Sequence, residues 1–108
     1  MTMKTINRAY LKVTPTQKFW NILEPYIEDK EFIPFHEPTL YLIEEDIWDE
    51  DQVLMKYMKK ITLNEINQLT EQNVSLVETE NIADFNAFFT FEIGGNVVDC
   101  ITSPIERL

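Results

Sequence analysis

Apolar and polar residues alternate near the start of the chain. Ala9, Leu11 and Val13 fall on one side of an extended segment, with Tyr10 and Lys12 on the other, which predicts a short strand over residues 9–13. The period then changes. Phe19, Trp20, Leu23, Tyr26 and Ile27 recur at the spacing of one helical face. Thr14-Pro15-Thr16-Gln17 supplies a start for that helix, with Thr14 as the capping hydroxyl, Pro15 at the first helical position and Gln17 closing a capping box. Pro25 lacks a backbone donor and disfavours helical geometry at Glu24, so the helix is expected to end or kink there.

Residues 31–38 read as a loop containing His36, the only histidine. Residues 39–43 (Thr39, Leu40, Tyr41, Leu42, Ile43) are almost continuously apolar, the pattern of a strand buried within a sheet. A helix is predicted over residues 50–60, capped by Asp49, with Trp48 and Val53 spaced as a hydrophobic staple. Val53, Leu54, Tyr57, Met58 and Ile61 form its buried face. A third helix is predicted to begin at once and to end near Asn73, with Thr62 as cap, Glu65 closing the box, Ile61 stapled to Ile66, and Leu63, Ile66 and Leu69 facing inward.

The remainder reads as sheet, with strands over residues 74–79, 85–93 and 97–103. Phe85, Ala87, Phe89, Phe91 and Ile93 share one face. Gly94-Gly95, the only glycines, suit a two-residue type I′ turn. That register sets Phe91 opposite Val98, Phe89 opposite Cys100, Phe88 opposite Ile101 and Glu92 opposite Val97. Moving the loop by one residue would set Glu92 against Asp99, two like charges directly opposite. The expected fold is therefore a single α+β domain over residues 1–108. It has a mostly antiparallel sheet of about five strands with three helices packed on one face, in the order β-α-β-α-α-β-β-β.

Charge narrows the function. Nineteen of the 108 residues are Asp or Glu and nine are Lys or Arg, giving a net charge of -10. That exceeds the magnitude of about 2–8 usual for a small domain. Without a basic patch to displace counterions, direct binding of nucleic acid is not expected, nor is docking on an anionic membrane. A basic protein is the partner such a surface favours and steers. No apolar run of about 18 residues is present and no secretory signal opens the chain. The single cysteine, Cys100, leaves no internal disulfide and fits a reducing compartment, so a cytoplasmic setting is expected.

No catalytic motif is present, so neither enzymatic activity nor a cofactor is expected. Cys100 is placed on an apolar strand face, where a buried thiol is inert, and His36 has no recognisable orienting group. The acidic stretch lacks the spacing and glycine of a calcium loop and the His and Cys ligands of a zinc site, so no metal is expected.

Six of the eight residues from 44 to 51 are acids. Asp49, Glu50 and Asp51 complement the dipole of the helix they begin, each contributing about 0.3–1 kcal/mol. Glu44, Glu45 and Asp46 precede the helix and lack that explanation. Trp48 lies among them, and tryptophan is enriched at binding hot spots. The candidate partner-binding residues are therefore Glu44, Glu45, Asp46, Trp48, Asp49, Glu50 and Asp51. A secondary interface is expected on the outer face of the final hairpin, at Phe88, Val97 and Ile101, where edge-strand addition would allow a homodimer. The profile, small, strongly acidic and poor in cysteine, resembles that of small bacterial inhibitor proteins such as immunity proteins and antitoxins. The resemblance implies an inhibitor that neutralises a basic partner, such as a nuclease toxin, by occluding its active or substrate-binding site. The same profile also suits a nucleic-acid mimic blocking a DNA-binding or restriction protein, and a secretion-type chaperone.

Overall fold

The opening alternation is satisfied by a strand with neighbours on both sides. The computed structural model describes residues 3–27, 37–70 and 77–107. Within them a two-residue strand, β1 (Lys4–Thr5), precedes β2 (Ala9–Pro15). β2 pairs antiparallel with β3 (Thr39–Ile43) on one side and with β4 (Phe89–Gly94) on the other, so the three-stranded sheet runs β3-β2-β4. A separate two-stranded ribbon joins β1 to β5 (Val98–Asp99). The mixed α+β class and the number of strands among the described residues are as the pattern predicts, but β1 is not one of the expected strands and the five divide between two sheets.

The period of two sorts side chains cleanly. Ala9, Leu11 and Val13 have no exposed surface, and on the same face lie Ile43 and Tyr41 of β3 and Phe89, Phe91 and Ile93 of β4. The other face carries Lys12, Tyr10, Thr90 and Glu92, together with Leu40 and Leu42, which are 54% and 49% exposed. The expectation of a fully buried 39–43 strand therefore fails. β3 is an edge strand covered on one side only. On the open face the Tyr10 ring lies across Gly94, filling the space a side chain there would occupy.

The first helix, α1 (Gln17–Leu23), is capped by Thr16 and not by Thr14, because β2 continues through Pro15. The Thr16 hydroxyl accepts from the Phe19 amide at 3.4 Å and donates to the Phe88 carbonyl at 3.0 Å, while its own amide donates to the same carbonyl at 2.9 Å. Pro25 acts as expected, and the chain tightens into a 3-10 turn at Glu24–Tyr26.

The two helices expected over residues 50–73 are one helix, α2 (Glu50–Leu69). Thr62 does not cap. It is buried, and its hydroxyl donates back to the Met58 carbonyl at 2.7 Å and bonds Thr79 Oγ1 at 3.0 Å. Residues 77–79 of the strand expected over 74–79 are not strand, and 74–76 lie outside the described residues.

The expected 85–93 strand begins as helix, α3 (Ile82–Phe88), and only then becomes β4. Asn81 caps α3, accepting from the Asp84 amide at 2.8 Å, while Asp84 accepts from the Glu80 amide at 3.1 Å. The spacing that looked like alternation also places Phe85 one helical turn before Phe89. Both rings are buried, with centroids 4.9 Å apart, and Phe19 lies 4.7 Å from Phe89. No Gly94-Gly95 hairpin joins β4 to the following strand. β4 pairs with β2, and the expected 97–103 strand shrinks to β5.

The continuity of α2 has a direct test. Leu63, expected to face inward from a helix starting at Thr62, is instead 53% exposed on the continuous helix, so its side chain contributes little to the core. Leu63→Pro is expected to cost about 3 kcal/mol or more in chemical denaturation, because it removes a donor in mid-helix. Proline just after a capping Thr62 would instead be tolerated.

Candidate functional site

The acidic loop lies where the chain leaves the sheet. β3 ends on buried Ile43, and the next residues swing out before α2 begins at Glu50. Asp49 caps α2, its Oδ1 accepting from the amides of Asp51 at 3.0 Å and Gln52 at 3.4 Å. Glu50 and Asp51 then occupy the first turn, where the partial positive charge of the helix end favours them. Half-buried Ile47 packs against the core and anchors the loop.

Glu44 braces the other side. Its carboxylate accepts from the Tyr57 hydroxyl and from Lys56 Nζ at 3.3 Å, both on α2. The Tyr57 hydrogen bond is the main reason its carboxyl lies below the ordinary range, with a backbone hydrogen bond and Lys56 acting in the same direction. The same contact raises both Tyr57 and Lys56. Glu44 is therefore structural, and so is Asp49.

What remains faces water. Trp48 is 94% exposed, so the expected staple to buried Val53 does not form. Glu45, Asp46, Glu50 and Asp51 are exposed, and none makes an ion pair among the described residues. Glu45 and Asp46 border an open groove of about 460 Å³ whose other walls include Asn7, Arg8, Leu42 and Tyr57. Arg8 forms no ion pair with them; its guanidinium donates to the Asn7 carbonyl at 2.8 Å and to Asn7 Oδ1 at 3.1 Å. The loop thus presents an unsupported indole among four free carboxylates.

The hairpin expected to carry Phe88, Val97 and Ile101 on its outer face does not form, since β4 pairs with β2 and β5 with β1. Phe88 ends α3, packs half-buried against the core and has Lys18 Nζ 5.0 Å from its ring centroid. The half-buried Val97 accepts from the Ile6 amide at 2.8 Å, and Ile101 is 66% exposed beyond β5. Cys100 is exposed, which corrects its placement in the core. His36 lies outside the described residues. Among the described residues no group of three or more His, Cys, Asp or Glu is placed to hold a metal, and no helix is long and apolar enough to cross a membrane.

One polar residue escaped the sequence reading. Glu65, assigned there to a capping box, is 3% exposed on the inner side of α2. The signal was present: along a continuous helix Leu54, Met58, Ile61, Thr62, Glu65 and Ile66 form one stripe at three- and four-residue spacing. Only the assumed break at Thr62 hid it.

No family model, curated protein or solved structure matches the chain.

Tyr57→Phe should release the brace on Glu44. The carboxyl midpoint of Glu44, followed by carbon NMR, is expected to rise toward its ordinary value near 4.5. Because the folded value is depressed, the stabilisation it carries is present above the unfolded midpoint and fades as pH falls through the folded one. The stability difference between wild type and variant should therefore vanish in acid below that midpoint. An unchanged Glu44 midpoint would contradict the assignment.

Proposed function

We propose that the protein is a small acidic cytoplasmic inhibitor that binds a basic protein, such as a nuclease toxin, and neutralises it by covering its active or substrate-binding surface. The observation that carries this reading is Trp48, a large apolar side chain 94% exposed in a run of acids, of which Glu45, Asp46, Glu50 and Asp51 make no ion pair among the described residues. A tryptophan in water contributes nothing to folding, and the crowding of like charge around it opposes folding. Both features favour association. The indole fills a pocket on the partner, while Glu45, Asp46, Glu50 and Asp51 pair with lysines and arginines that would otherwise hold phosphate. Tryptophan anchors with a charged rim are the usual composition of a hot spot.

The fold supplies the rigidity such a surface needs. The loop is pinned at both ends, by the Asp49 cap and by the Glu44 contacts to Tyr57 and Lys56. Little ordering entropy is then lost on docking.

The test is affinity capture from the native host's lysate, followed by kinetics on the captured partner. One stoichiometric basic protein is expected, held at low salt and released at high salt. Trp48→Ala should weaken it by about 2 kcal/mol or more, roughly thirtyfold, without changing thermal stability. The double change Glu45→Lys and Asp46→Lys should slow association at least tenfold at low salt, since these acids steer the encounter. Asp49 is left out of the reversal, because its loss would uncap α2. A partner bound equally well by both variants would remove this loop from the interface.

A further inference from the structure

A second feature on α2 has no part in that interface. Among the described residues, Glu65 Oε1 is the buried side-chain polar atom with no hydrogen-bond partner. The rest of the carboxylate is weakly held, by a long bond of 3.4 Å from Thr39 Oγ1 to Oε2 and by the Tyr41 hydroxyl. Glu65 forms part of the wall of a cavity of about 370 Å³ at the start of β3. Pro15, Pro38, Leu40 and Leu69 give that cavity apolar sides, and Gln68 and Glu37 give it polar ones. Among the described residues no lysine or arginine lines it. The acidic loop follows the far end of the same strand, about 13 Å away at the rise of an extended chain.

A carboxylate buried without a partner is costly, and proteins retain one only when something offsets the cost. Burial pushes Glu65 up to about 7, against the lowering effect of hydrogen bonds from Thr39 and Tyr41. The titratable groups brought near it by the described residues are Glu37, ahead of β3, and Tyr41, on β3. Tyr41 accepts from Asn64 Nδ2 at 2.9 Å, and burial pushes it up to about 12, so it stays neutral. From α2, Gln68 and Asn64 contribute neutral amides. Nothing described here supplies positive charge.

We propose that this cavity binds the protonated amino group of a small primary alkylamine, with Glu65 as its counter-ion. An ammonium group carries three donors and no acceptor. The Glu65 carboxylate, the Gln68 side-chain carbonyl and the Glu37 carboxylate are acceptors in the cavity wall that meet them. The last torsion of a glutamate is broad, so a partial rotation of the carboxylate brings its unpartnered, buried oxygen to the ligand. The alkyl chain lies against Pro15, Pro38, Leu40 and Leu69. The volume is at the lower end of the range of about 300–1,000 Å³ typical of small-molecule sites. A neutral donor such as an alcohol would satisfy one oxygen and leave the buried charge in place, so the site discriminates by charge.

The proposal fixes a proton linkage. The ligand favours ionised Glu65, so binding releases a proton when pH lies below the free-protein value of about 7. Affinity rises with pH through that value and levels off above it, while the amine itself stays protonated to about 10.4. Between pH 5 and pH 8 the gain is about a hundredfold.

The experiment is titration of the full chain with n-butylamine at fixed ionic strength, read by calorimetry and by amide NMR shifts at pH 5 and pH 8. Saturable binding is expected at pH 8, with shifts at Thr39, Glu65, Gln68 and Leu69 and about a hundredfold weakening at pH 5. n-Butanol should not compete. Glu65→Gln should abolish both the binding and its pH dependence, which separates the effect from any titration of His36. Should Glu65→Gln fail to fold, Leu40→Arg sets a positive charge at the cavity rim from a half-exposed position and should weaken n-butylamine at least tenfold. Absence of saturable binding, affinity that does not change with pH, equal binding of n-butanol, retention in either variant, or shifts confined to residues 44–51 would each overturn the proposal.

Discussion

Ala9, Leu11 and Val13 are shut off from water, and the strand that carries them decides where the other elements go. Both edges of β2 are taken, by β3 and β4, so those two strands become edges. Its alternation allows one apolar face, so the helices must lie on that face. Phe89 then meets rings from two directions, Phe19 on α1 and Phe85 on α3. Tilted ring pairs at such distances add about 0.5–1.5 kcal/mol each beyond the area they bury. Thr16 completes the joint by linking the start of α1 to the carbonyls at the end of α3.

The acidic loop follows from the same geometry. A strand covered on one face must be followed by a chain that turns back across that face, and residues 44–49 make the turn. At 20 residues α2 is about 30 Å long, the span of a small domain. Its N-terminus tolerates acids that would be costly elsewhere, and its inner stripe carries Glu65 about four-fifths of the way along. One helix therefore supports two chemically different features: an exposed charged surface at one end, and a buried carboxyl at the wall of a cavity farther along.

The legible parts of this fold were those decided locally. The β2 alternation, the proline that ends α1 and the Asp49 cap each depend on a few adjacent residues. The failures came where a local rule was satisfied and a distant contact outvoted it. Thr62 and Glu65 have the spacing of a capping box, yet packing against Thr79 keeps the helix intact. The phenylalanines from Phe85 onward fit a period of two, but Phe85 and Phe89 also fit a helical turn, and the Asn81 cap with Asp84 favours the helix. Leu40 and Leu42 looked like core because sheet order, which no short window contains, left their face uncovered. The acids of the candidate site were visible as a run, but two of them, Glu44 and Asp49, proved to be bracing. Trp48 has the spacing of a staple and lies instead in solvent.

The claim at the centre of this account is that Trp48 is a binding anchor and not an idle surface residue. Fluorescence tests it most directly in a Trp20→Phe variant, where Trp48 is the only indole left. Its emission in the free protein should be that of a water-exposed tryptophan, readily quenched by iodide or acrylamide. On forming the complex with the basic protein captured from the host, the emission should move to shorter wavelength and become shielded from quencher, with a rate that falls as salt rises. A complex that forms while Trp48 keeps its solvent-exposed emission and full quenching would contradict the account.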